Sequence, residues 1–503
     1  MKRSFLYPNG VADKKTLGTL CGSIGTRTLY HLSLDRSFGL LFQDDEDQKP
    51  KQYFLSVLSQ PLIDRDAILY RQEILKDFLG KRSFFFELSD LYVRFTGLRD
   101  GHDRERQAMK RMIHATTAGA ASGTIMNLLQ ANALTLKREL LFLKSLSDLF
   151  EGTAFLSRGL RELKEAAEAI VRNPAYAEMI QLCGDVENIR PSAPFDITLK
   201  LGSGGQVEDC KLIEHKYLHI VDPDGAKGLL GFFKRPKQDN APASCVRIYQ
   251  SMDTIFDKIT TSPLIALAEG IDMLTDQLFD EFSYIGDELG FYHTAIKYVR
   301  EMRNRGVSAN FPTFTEETKL VCKGLRDLYL VLSYEKPDDV IPNDITMDTT
   351  GGIVVFGENG SGKTVYLRSV GTAQLLAQAG LPVPAEIAEM SLRSQIVTQF
   401  SEAEKEFEKG NDAGRFEQEV RELASVIDTL DDGALVLLNE TFQTTSYEEG
   451  AEGLYYILQY FTERGMQWLL VSHLHQLEGF LDRKTVHLFE TKPGFKVGAM
   501  EKA

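Results

Sequence analysis

A chain of 503 residues is long enough for more than one domain, and 43 % hydrophobic with 26 % charged residues suits a globular protein with a real core. It holds no run of about 18 uncharged apolar residues, so no membrane span is expected. Its net charge of −15 does not fit a generic polyanion binder.

The first residues, Met1-Lys2-Arg3-Ser4-Phe5-Leu6, start like a signal peptide, but Pro8, Asn9 and Asp13 interrupt any apolar stretch. Cys21, Cys183, Cys210, Cys245 and Cys322 form no C-x-x-C pair, which argues against a disulfide framework or zinc site and fits the reducing cytoplasm. Residues 1–50 mix Gly, Ser and charges and end in the loop-like Asp44-Asp45-Glu46-Asp47.

A helical region follows, read as a core and lever over 51–189 and 246–335. Leu136, Leu140, Leu143, Leu146 and Phe150 recur at helical steps. Leu264, Leu267, Ile271, Leu274, Leu278, Phe282, Ile285 and Leu289 continue that rhythm for roughly seven turns, a rod of about 40 Å. A plain helical bundle carries the same stripe.

Between these helices, 190–245 reads as a small β-containing, clamp-like insertion. Phe195-Asp196-Ile197-Thr198-Leu199-Lys200-Leu201 alternates, Gly202, Gly204 and Gly205 mark a turn, and Lys216-Tyr217-Leu218-His219-Ile220-Val221 reads as a second strand before Pro223-Asp224-Gly225. The basic Phe233-Lys234-Arg235-Pro236-Lys237 is either a solvated loop or a phosphate contact.

From 336 to 503 the pattern becomes strand–loop–helix, as in a nucleotide-binding α/β domain. This part holds 14 Lys and Arg against 27 Asp and Glu, leaving 43 against 45 before it, so any polyanion contact is expected in the first two-thirds, where the charge permits it without demanding it. The apolar run Ile353-Val354-Val355-Phe356 leads into Gly357-Glu358-Asn359-Gly360-Ser361-Gly362-Lys363-Thr364, a full G-x-x-x-x-G-K-[ST] match. Glycines let successive N–H groups face phosphate oxygens, and the helix N-terminus adds positive potential. Lys363 is expected to reach the β- and γ-phosphates of ATP, and Thr364 to ligate Mg²⁺.

A second strand, Ala434-Leu435-Val436-Leu437-Leu438, ends at Asn439-Glu440. Asn439 stands where an aspartate normally holds the Mg²⁺ shell, and Glu440 is the candidate general base. A third, Trp468-Leu469-Leu470-Val471-Ser472, delivers His473; in ABC-type ATPases a histidine there senses the γ-phosphate. His475 is expected at the surface.

These residues resemble the DNA mismatch-repair MutS family. Lys363-Thr364-Val365-Tyr366-Leu367-Arg368 is similar to its K-S/T-T-Y-L-R run. Ile341-Pro342-Asn343-Asp344 is similar to the segment that lies against adenine, which implies base-binding roles for Ile341 and Asn343. Gly380-Leu381-Pro382-Val383-Pro384-Ala385 resembles G-x-x-V-P-A, Phe416-Glu417-Gln418-Glu419 resembles F-x-x-E, and Ser472-His473 resembles T-H. In the helical region, Gln60-Pro61-Leu62-Ile63-Asp64-Arg65-Asp66-Ala67-Ile68-Leu69-Tyr70-Arg71-Gln72 resembles Q-P-L-x-D-x-x-x-I-x-x-R.

The resemblance implies a helical core and lever plus a C-terminal ABC-type P-loop ATPase, with Mg²⁺ as cofactor and two copies paired, in an ATP-dependent manner, as a clamp on branched or distorted double-stranded DNA. Three departures stand out. Gly414 and Arg415 replace the residues before the signature phenylalanine, Asn439 replaces aspartate, and the stretch before the core is expected to be too short for a mismatch-reading domain. The 30 residues after His473 are likewise expected to leave no room for a helix-turn-helix. Two other readings stay open: a nucleotide-gated protein–protein interaction module, and a slow ATP sensor without mismatch recognition.

Overall fold

The structure is a computed structural model that describes residues 2–10, 18–43, 47–115, 121–188, 195–201, 207–215, 253–347, 351–401, 412–442 and 446–500. Its contacts divide the chain into two compact units that cut across the sequence segments above. One comprises 1–3, 81–156 and 160–286; the other comprises 4–80, 157–159 and 287–503.

The first unit is mainly helical. Helices Ala121–Leu149, Pro174–Asn188 and Asp253–Phe282 bury Leu129, Leu136, Leu140, Met179, Cys183, Val186, Ala268 and Ile271 in one cluster. Among the predicted positions, Leu140, Leu146 and Phe150 are wholly buried, as the helical spacing requires. Asn132 reaches across this cluster to donate to the Ala268 carbonyl at 3.1 Å.

The expected continuous rod over Leu264–Leu289 is corrected. Helix Asp253–Phe282 stops, Ser283 forms a turn, and Ile285 and Leu289 belong to a second helix, Tyr284–Asn304. Apolar spacing survives a one-residue break, so periodicity alone cannot show it.

Strands are numbered in chain order. β2 (Phe195–Leu201) and β3 (Val207–His215) pair as an antiparallel hairpin, with register shifts at Asp196/Ile197 and Lys200/Leu201. The expected strand at 216–221, the turns at 202, 204–205 and 223–225, and the basic cluster at 233–237 lie outside the described residues.

The second unit is built on a seven-stranded sheet. Its order is β1 (Ser23–Ile24), β9 (Gln395–Phe400), β10 (Ala434–Asn439), β11 (Gln467–Ser472), β7 (Gly352–Phe356), β12 (Val486–Lys492), β13 (Lys496–Ala499). All neighbours run parallel except the β12–β13 hairpin. Strands β7, β10 and β11 are buried at every position, which is why they read as unbroken apolar runs rather than alternating ones. Helix Tyr447–Glu463 covers one face through Leu454, Leu458 and Phe461. On the other face lies helix Lys363–Gln378, where a Cβ on Gly371 would strike Leu437 of β10.

A smaller sheet has the order β4 (Thr313–Phe314), β8 (Ile387–Met390), β5 (Leu320–Leu325), β6 (Asn343–Met347). The described residues among 1–50 hold more regular structure than their composition suggests. β1 extends the main sheet beside β9, and His31 stacks on Phe400 of β9 with ring centroids 4.6 Å apart.

The Gln60–Gln72 motif also packs within this second unit. Asp64 caps helix Arg65–Gly80 by accepting from the Ala67 N–H at 2.7 Å. Leu62 and Gln378 exchange two bonds, backbone N–H to carbonyl at 3.1 Å and side-chain amide to carbonyl at 2.7 Å. Buried Arg71 donates to the Leu6 and Ala379 carbonyls. The motif residues therefore clamp the C-terminal end of the helix that begins at Lys363.

Candidate functional site

Three neighbouring strands, β10, β11 and β7, end at one edge of the sheet, and each delivers part of the site there. After β7 the chain turns through 357–362 and enters helix Lys363–Gln378 at its N-terminus. Gly362 takes φ 94°, a conformation that L side chains rarely adopt. Gly357 is needed for space, because a Cβ there would lie 2.0 Å from the Thr491 hydroxyl oxygen. Glu358, Asn359 and Gly360 are exposed, and Ser361 accepts a hydrogen bond from Thr491 at 2.9 Å.

Lys363 is buried and fully engaged. Its ammonium donates to the Gly357 and Glu358 carbonyls at 2.7 and 2.9 Å and lies 3.0 Å from Glu440 Oε1. The other carboxylate oxygen of Glu440 sits 2.7 Å from His473 Nδ1. Burial alone would raise the Glu440 pKa, but the hydrogen bonds and charges of His473 and Lys363 outweigh it and hold the carboxyl below its usual range. Glu440 is therefore an ionised carboxylate suspended between two nitrogen groups from different strand ends.

Thr364 donates to Asn439 Oδ1 at 2.8 Å. That bond uses the threonine proton and leaves the hydroxyl lone pairs available to a cation, so the donor set fits Mg²⁺. The asparagine keeps the hydrogen bond and supplies a dipole in place of a charge. Arg368, one turn further on, forms a bidentate pair with Asp327 at 2.7 and 2.8 Å, tying this helix to helix Leu328–Ser333.

The residues expected to contact the base are placed differently from one another. Asn343 uses its carboxamide on the β12–β13 hairpin, accepting from the Val497 N–H at 2.9 Å and donating to the Phe495 carbonyl at 3.1 Å. Ile341 is half-buried beside it. At the hairpin tip Phe495 adopts φ 60°, remains 59 % exposed and packs next to Gly362. Sequence reading missed Thr491 and Phe495, because no local motif links this hairpin to the phosphate-binding loop. It also missed Tyr447, whose ring stands edge-on to His473 at 5.9 Å. His475 is exposed as expected, with one ring face stacked on Phe356. Phe416, Gly414 and Arg415 lie within helix Asp412–Ile427.

Comparison with known proteins gives two family matches. Residues 353–492 match the family described as MutS domain V, and residues 63–305 match the MutS2 N-terminal domain. The chain is 28 % identical over 203 residues to MutS protein homolog 4 of Homo sapiens, covering 40 % of this chain and 20 % of that protein. It is 30 % identical over 146 residues to Endonuclease MutS2 of Shouchella clausii, covering 29 % and 18 %. It is 32 % identical over 151 residues to DNA mismatch repair protein MutS of Salinibacter ruber, covering 29 % and 16 %. The matched stretches thus span a fifth or less of these relatives' own length.

Proposed function

Because the chain belongs to the MutS family, we propose that it is an ATPase that couples ATP binding and hydrolysis to DNA binding. The observation that carries this reading is Glu440, ionised and fixed between Lys363 and His473 beside a complete phosphate-binding loop. In this reading the N–H groups of 357–364 and the helix N-terminus hold the phosphates. Lys363 exchanges its carbonyl acceptors for phosphate oxygens. Glu440 takes the proton from the attacking water. His473, tied to Glu440 through Nδ1, stands at the γ-phosphate end of the site and orients the carboxylate. Thr364 and Asn439 would hold Mg²⁺, which would supply charge neutralisation there. Ile341, Asn343 and Phe495 bound the base.

The finer reading is an ABC-type ATPase domain joined to helical lever arms and paired with a second copy as a clamp on branched or distorted double-stranded DNA, in the cytoplasm. The MutS2 N-terminal match over the helices supports placing DNA contacts there, where the near-neutral charge permits them but equally suits protein-binding arms. Asn439 favours slow turnover, because the metal loses one anionic neighbour.

DNA binding is tested by salt titration on homoduplex, mismatched and branched DNA, with and without ATP. Affinity is expected to fall steeply with salt as counterions are released and to change with ATP. Absence of DNA binding on every substrate would leave a protein-interaction role in its place.

A further inference from the structure

The turn that carries Glu440 is held in an unusual backbone conformation. Glu440 and Phe442 both lie in the left-handed region, at φ 52° and 64°, and neither is glycine. A side chain there meets the following carbonyl oxygen, and this conformation persists only where the surroundings over-determine it. Two of the restraints are plain: the Glu440 N–H donates to the Val471 carbonyl at 2.9 Å, and the Phe442 ring is buried in the core against Leu454 and its neighbours. The third lies between them. Thr441 is 1 % exposed, and its hydroxyl donates to Gln399 Oε1 at 2.8 Å; Gln399, on the adjacent strand β9, is itself buried.

We propose that the Gln399–Thr441 hydrogen bond is the positioning device for Glu440, fixing the left-handed turn that aims its carboxylate between Lys363 and His473. This rests on the reading of Glu440 as general base. The bond is dry and polar, so an orphaned partner is destabilising. With the bond gone, the turn relaxes toward extended backbone and carries the carboxylate away from the attacking water. A displacement of about 1 Å at a reacting group costs on the order of a hundredfold in rate. Thr441 and Gln399 act through Glu440 and are positioning residues.

The test uses the full chain with Thr441→Val, Gln399→Leu, the double variant and Thr441→Ser, measuring kcat and KM for ATP, ADP affinity and thermal unfolding. Each single apolar variant is expected to lower kcat about ten- to a hundredfold, with KM and ADP affinity unchanged. Thr441→Ser keeps the hydroxyl and restores kcat. The double variant leaves no buried polar orphan, so it regains thermal stability but not kcat. It also carries the test if Thr441→Val does not fold. Parental kcat in Thr441→Val, or kcat that recovers in the double variant together with stability, overturns the proposal. Glu440→Gln is measured beside them. If it hydrolyses at the parental rate, the base assignment itself fails; if it is slow while Thr441→Val is parental, only the positioning role fails.

Discussion

The helical unit of 81–156 and 160–286 and the sheet unit around β7, β10 and β11 both bury polar side chains, but those of the sheet unit include the candidate site. The helical core packs Leu, Ala, Met, Ile, Cys and Val side chains from three helices, with buried Asn132 bonded to the Ala268 carbonyl and buried Arg99 paired with Glu139. The sheet unit buries Lys363, Gln374, Gln378, Arg393, Gln399, Asn439, Glu440 and Thr441. Gln378 is one example: it accepts from Gln374 and from the Arg393 N–H, and donates to the Leu62 and Arg393 carbonyls. A dry polar network costs stability wherever it is incomplete, yet fixes geometry where it is complete. Both units bear such a cost, and the candidate catalytic side chains are among the buried polar groups of the sheet unit.

That contrast can be broken by substitution, and the largest effect is expected at Lys363. Lys363→Ala removes the cation that holds two loop carbonyls and Glu440, and ATP hydrolysis is expected to vanish in a steady-state assay. Hydrolysis at the parental rate would move the phosphate contact to another residue.

Leu140→Ala strikes the helical unit instead. Leu140 is fully buried, so denaturant unfolding is expected to show a loss of about 2–5 kcal/mol while ADP affinity is unchanged. An affinity that falls with stability would mean that the two units are not separable in this way.

A pH effect is expected within the sheet unit at Glu288. Burial pushes its carboxyl up to about 7, although bonds from Ser4 and Phe5 and the charge of Arg71 pull it down. The folded state therefore keeps a proton that the unfolded chain releases near the ordinary value of 4.5. Stability is then highest below that value, falls by up to about 3 kcal/mol as pH rises to about 7, and levels off above it. Unfolding midpoints across this range report the slope, which Glu288→Gln is expected to flatten; an unaltered slope assigns it to other groups.

The smallest effect concerns Asn439. Asn439→Asp adds a charge beside Thr364, so half-maximal hydrolysis is expected at a lower Mg²⁺ concentration. Repulsion from Glu440 opposes this, but two metal charges outweigh it. An unchanged Mg²⁺ dependence would place Asn439 outside the metal shell.

What could be read from the sequence follows the same division. The phosphate-binding loop is contiguous and its glycines answer to local backbone needs, so 357–364 could be recognised residue by residue. The strands ending at Asn439 and His473 were visible as apolar runs, because parallel strands are buried on both faces. The bonds Thr441–Gln399, Thr491–Ser361 and Asn343–Val497 join residues 42, 130 and 154 positions apart, and no local pattern encodes them. The two residues of β1 are too few for any periodicity, and the break at Ser283 leaves the apolar rhythm intact.

In the proposed function an ionised Glu440, rather than the phosphate-binding loop alone, drives hydrolysis. Glu440→Gln keeps the shape and removes the base, so single-turnover hydrolysis on pre-bound ATP tests it directly, with affinity for ATP measured in parallel. The account expects ATP to bind as in the parent and the hydrolytic rate to fall about a hundredfold to ten-thousandfold. A parental single-turnover rate with normal binding would contradict it.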